Sequence, residues 1–305
     1  MCAQATTAPT KLGIVLYSKM SRLFTFGCSF TDYEWPTWAD IIGQEFDYYE
    51  NWARGGMGNQ YIFNSLIECN KRNKFTSDDT IMIMWSTVLR EDRYIANFGG
   101  WIGTGNIWKS EAYTTAWKKK FICERGFLIR DLALISAAQD LLKYWQVRYN
   151  MSSLLPIETD DKDVLNLYKT VLDDIASSFV GTIDILGHLS CRDFFNEEIK
   201  ANQDLLNDLE DEYNQCKGAD WPTFKIFLKQ KNIEKIIVDD INNYRLYDKL
   251  FNLTYKYADH PTPKEHMLYV QKIFPNYVIS ENTKNWINNY KFGDEFIRHF
   301  PKYRF

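Results

Sequence analysis

A serine stands just past the first strand-like run of the chain, in Phe26-Gly27-Cys28-Ser29-Phe30-Thr31-Asp32. The apolar stretch Leu23 to Phe26 stops at Gly27, as a buried parallel strand would. A serine in that place lies where α/β sheets bind ligands, beyond the carboxyl end of a strand. Gly27 lets the chain turn without a Cβ, and a following helix would aim free N–H groups at the hydroxyl. Such a serine serves either as a nucleophile or as the cap of a turn, and the local pattern leaves both open.

Two more segments carry residue types suited to chemistry. Asn51-Trp52-Ala53-Arg54-Gly55-Gly56-Met57-Gly58-Asn59 reads as strand, glycine turn and helix start. The Gly56 N–H could donate to an oxyanion there, or the glycines serve only to supply positive φ. A dinucleotide fingerprint would need a third glycine where Tyr61 stands, which disfavours a nucleotide-binding enzyme. Asp259-His260-Pro261-Thr262-Pro263-Lys264-Glu265-His266 places a histidine on a loop before a T-x-x-E capping box, with proline at the first helical position. The box predicts a helix from Pro263 to about Ile273. Of the four histidines, His188, His260, His266 and His299, the loop residue His260 is the best placed general base, and His266 is expected to pack behind it.

Taken together these blocks resemble the SGNH/GDSL hydrolase superfamily, over roughly forty residues in the family's chain order. The F-G-C-S-F form of the first block is shared with divergent members in tailed bacteriophages. The resemblance implies a serine hydrolase with Ser29 as nucleophile, His260 as base beside Asp259, and Gly56 as oxyanion donor. It also implies a five-stranded parallel sheet, lipid, carbohydrate or thio esters as substrates, and no metal or organic cofactor. The chain departs from the family pattern in three places. Cys28 stands where the first block has Asp. In the last block, Tyr257 occupies the position of the Asp three residues before His260. The third block's Gly-x-Asn is replaced by Trp85-Ser86-Thr87, leaving Asn59, Thr87 or Arg90 as substitute oxyanion donors. These changes make a catalytically decayed binding or structural protein of the same fold, including a virion component, the alternative.

The elements that must position these residues alternate strand and helix. Strands are expected at Leu23–Phe26, Tyr48–Ala53, Thr80–Trp85 and Val147–Ser152, the first in the middle, with helices over Pro36–Phe46, Asn59–Arg72 and Phe127–Trp145. Right-handed crossovers then give a three-layer α/β/α sandwich with a parallel, flavodoxin-like sheet. Asp92 to Lys120 reads as irregular and aromatic, with Trp101, Trp108, Tyr113 and Trp117 suited to packing or to stacking on sugar rings. The expected organisation is a tail over 1–19, a domain over 20–280 with a helical insertion at about 155–250, and a C-terminal extension over 281–305.

Composition narrows the classes further. The chain has 305 residues, 45% hydrophobic, and a net charge of −4, which argues against a general nucleic-acid binder. Its six cysteines show no metal-ligand spacing and suit reduced thiols. Neither a signal peptide nor a membrane span is expected, so the setting expected is cytoplasmic or virion-associated. The expected partner is an ester substrate, with a protein assembly partner as a role for the mixed-charge insertion, whose plainer reading is a solvated helix face.

Overall fold

Leu23, Phe24 and Phe26 are fully buried on β1 (Arg22–Phe26), an inner strand of the sheet. Burial of each such side chain contributes about 1.5–3 kcal/mol. The computed structural model describes residues 20–108, 110–154, 162–176, 260–291 and 294–302. β1 pairs in parallel with β2 (Tyr48–Asn51) on one side and with β3 (Thr80–Trp85) on the other. β6 (Arg148–Ser153) adds to the far edge of β3, again parallel, giving the order β2-β1-β3-β6. Among the described residues the sheet has these four strands; the fifth implied by the family resemblance is not among them.

Alternation along the strands assigns the two helical layers. Phe24 and Phe26 of β1 and Ile81, Ile83 and Trp85 of β3 face a core shared with α2 (Asn59–Asn73), α4 (Glu124–Tyr144) and α5 (Lys162–Ala176). Leu23 of β1 and Met82 and Met84 of β3 face the opposite core. That second core is covered by α1 (Trp38–Gly43), α6 (Pro263–Ile273) and α7 (Glu281–Asn289). A period of two in the strands thus puts helices on both faces, a three-layer α/β/α fold. The chain runs from β1 to β2 in one direction and then returns past β1 to β3. The reversal makes the gap between the carboxyl ends of β1 and β3 the switch point at which such sheets bind ligands.

The aromatic stretch after β3 is ordered rather than irregular. β4 (Arg90–Ile95) and β5 (Gly100–Asn106) form an antiparallel hairpin, and α3 (Thr115–Phe121) follows it. Charge hides β4 from a hydropathy reading, because Arg90-Glu91-Asp92-Arg93 has no apolar alternation. Its Glu91 and Asp92 are nonetheless buried, held by Arg130 and by backbone N–H groups.

The C-terminal residues pack on the domain. Ile287 and Tyr290 are buried, and Glu45 Oε1 accepts bonds from Ser280 and Thr283 at the start of α7. Asn51 on β2 donates its N–H to His299 O at 2.7 Å. The tail over 1–19, the insertion beyond α5, and Asp259 and Tyr257 lie outside the described residues. Among the described residues no helix is long and apolar enough to cross a membrane.

Candidate active site

Ser29 follows β1 in a single tight turn: Thr31 N–H and Asp32 N–H both donate to Cys28 O, at 2.9 and 3.0 Å. Gly27 is required there, since a Cβ would come within 2.0 Å of Thr31 Oγ1 and 3.3 Å of Met84 O. Cys28 is buried and packs in the core beneath α1 and α6, so the residue that replaces the family's Asp fills space behind the turn. Ser29 is 8% exposed, and among the described residues its hydroxyl has no hydrogen-bond partner.

The glycine turn abuts this serine. A Cβ on Gly55 would lie 3.8 Å from Ser29 Cβ, and Arg54 N–H donates to Gly27 O at 3.3 Å. Met57 N–H closes the turn on Arg54 O, and Gly56 has a φ of +78°, the pattern of a type II turn. Among the described residues the Gly55 and Gly56 N–H groups have no acceptor. Asn51, at the end of β2, ties the two loops by donating Nδ2 to Thr31 O at 2.7 Å and accepting Ala53 N–H at Oδ1.

His260 packs on the loop that bears Ser29. Its ring is stacked on Tyr33 at 3.9 Å and lies 4.8 Å from the Phe30 ring, centroid to centroid. Trp35 Nε1 donates to Pro261 O at 2.6 Å, which pins the following residue. The helix beyond starts at Pro263, with Thr262 and Glu265 closing the expected capping box. His266 is 1% exposed within α6. Burial, and secondarily the charge of nearby His260, hold its pKa well below the usual imidazole range, so it stays neutral.

The substitute oxyanion donors differ in availability. Asn59 is fully buried with both amide hydrogens in use, donating Nδ2 to Ser86 O and to Asp131 Oδ2 while Oδ1 accepts Ser86 N–H. It bridges α2, the end of β3 and α4, and in this arrangement neither amide hydrogen is left over for an oxyanion. Arg90 Nη1 is engaged in a bond to Met57 O. Thr87 stands past the end of β3, with Oγ1 accepting Leu89 N–H at 3.3 Å.

Sequence reasoning did not single out Tyr33 and Trp35, which hold the His260 loop, nor Asp32 with its partner Arg298 at 3.6 Å. The aromatic Tyr33-Glu34-Trp35-Pro36 run after the first block was the visible signal for the first two.

No family model and no curated protein matches the chain. Among solved structures, the protein YxiM from Bacillus subtilis is similar over 44% of this chain at 13% identity, with a TM-score of 0.28. The match covers 33% of the length of that structure's chain.

Proposed function

We propose that the chain is a serine hydrolase acting on acyl esters, with Ser29 as nucleophile and His260 as general base. The observation that carries this reading is the stacking of His260 on Tyr33 and Phe30, in the same loop as Ser29. In the reaction Ser29 Oγ attacks the ester carbonyl while His260 takes its proton and returns it to the leaving alcohol. Water then releases the acyl group by the same proton exchange. The Ser29 and Gly56 N–H groups receive the developing oxyanion. Carbohydrate or lipid esters are the substrate class the family resemblance implies.

The engaged amide of Asn59 favours a second reading, a protein that keeps the fold and binds without chemistry. Losing one oxyanion donor typically costs about 2.7–4 kcal/mol of transition-state stabilisation, so slow turnover alone does not separate the two readings. Covalent labelling with a fluorophosphonate does. Labelling that vanishes in Ser29→Ala and falls steeply in His260→Ala supports the hydrolase. Absence of Ser29-dependent labelling after long incubation of folded protein, with no turnover of short-chain aryl esters, selects the binding protein.

A further inference from the structure

The β4–β5 hairpin grips the far side of the glycine turn. Gly105 N–H donates to Gly56 O at 3.1 Å, and Arg90 Nη1 donates to Met57 O at 2.8 Å. Asp92 accepts Gly58 N–H at Oδ1, 2.7 Å, and Tyr61 N–H at Oδ2, 2.9 Å. The N-cap residue of α2 is Gly58, which has no side chain, so the hairpin supplies the cap from outside the helix. The backbones are in direct contact: a Cβ on Gly103 would meet Gly56 C at 2.7 Å and Met57 N at 2.9 Å. Arg130 fastens the hairpin to α4, donating Nη2 to Arg90 O and Nη1 to Glu91 Oε2, both at 2.9 Å.

The turn is therefore held between Ser29 on one side and the hairpin on the other. We propose that the β4–β5 hairpin is the positioning element of the oxyanion site and that Asp92 is its principal positioning residue. By holding the carbonyls of Gly56 and Met57 and the N–H groups that open α2, it leaves the Gly55 and Gly56 N–H groups in one orientation beside Ser29. Preorganisation of this kind matters because a donor aimed before the reaction costs no reorganisation during it. The inference rests on the hydrolase reading above, but its grip on the turn is measurable without catalysis.

The test compares the full-length protein with Asp92→Asn and Gly103→Ala. Asp92→Asn replaces one acceptor oxygen with an NH2 group, and Gly103→Ala, at the cross-strand partner of Asp92, pushes the hairpin off the turn by backbone contact while keeping both carboxylate oxygens. The readouts are the first-order rate constant of Ser29 labelling at saturating fluorophosphonate and the final labelled fraction. The expected result is a rate constant lower by about tenfold or more in both variants, with the final fraction unchanged, since removing a whole donor costs about 10²–10³. A merely structural hairpin would lower the labelled fraction and leave the rate constant of the folded protein intact, which overturns the proposal. If the wild-type protein does not label, the hydrolase reading fails, and the Gly55 and Gly56 amide resonances decide the rest. Displacement of those resonances in Asp92→Asn supports the grip; unchanged resonances overturn it.

Discussion

The Tyr33 ring lies parallel to the His260 imidazole, 3.9 Å between centroids and 10° between planes. This face contact orients a ring that comes from outside the β1–α1 loop, and under the proposed mechanism it lies against the imidazolium of the transition state. An aromatic face beneath a cation contributes about 0.5–1 kcal/mol at a partly exposed site. Tyr33→Ala is therefore expected to slow Ser29 labelling by roughly two- to fivefold. Tyr33→Phe, which keeps the face, is expected to restore the rate. Equal rates in all three proteins would show that the stack does not orient the base.

Gly27→Ala tests the turn that presents the nucleophile. The new methyl would meet Thr31 Oγ1 at 2.0 Å and Thr31 Cβ at 2.7 Å, inside a fully packed turn. Overpacking of this kind costs about 1–3 kcal/mol, so the denaturation midpoint should fall. Labelling should fall with it, because Ser29 follows closely along the displaced chain. Unchanged stability would mean that the turn relaxes freely and holds Ser29 loosely.

Asn59→Ala separates scaffold from oxyanion donor. Removing the amide strands Ser86 N–H, Ser86 O and one oxygen of buried Asp131, each loss costing about 1–3 kcal/mol before relaxation. Unfolding in urea should show a loss of about 2–4 kcal/mol. The labelling rate constant of the protein that remains folded should be close to wild type. A fall of roughly a hundredfold in that rate constant, with stability intact, would return Asn59 to the oxyanion site.

Asp40 makes stability depend on pH. Burial in the first turn of α1 raises its pKa to about 7. The bonds from Thr37 N–H and Oγ1 pull it down, while Asp32 pushes it up and Arg298 lowers it. The folded state then holds a proton that the unfolded state releases near the ordinary carboxyl value of 3.8. This group's contribution to stability is fully present below that value and is lost as pH rises toward about 7. The slope is at most about 1.4 kcal/mol per pH unit. Asp40→Asn, whose amide can accept from Thr37 and donate to Tyr49 Oη, is expected to flatten the dependence between about pH 5 and 7, read from urea midpoints. An identical slope in the variant would assign the pH dependence to other groups.

The helical and strand elements that carry their own local signal were legible. Ile81 to Trp85 is apolar throughout because both faces of the strand are covered, and the Thr262–Glu265 box marks the start of α6 in side chains three residues apart. The β4–β5 hairpin had no such signal. Its strands are stabilised by Arg130 from α4, 39 residues beyond Glu91, and by the backbone of the α2 entrance. A charged strand buried by distant partners looks like a loop when read along the chain.

The site divides along the same line. Types and spacing alone marked Ser29, the Gly55–Gly56 turn and His260, because a strand end, a positive-φ turn and a helix cap are each local requirements of the backbone. Only the tertiary structure decided which neighbours surround them. It engaged Asn59 with Ser86 and Asp131, turned Cys28 into the core, set Tyr33 against His260 and laid the hairpin on the glycine turn. Each of these contacts joins segments far apart in sequence. Whether a buried amide is free to donate depends on those long-range partners, which a local pattern does not contain.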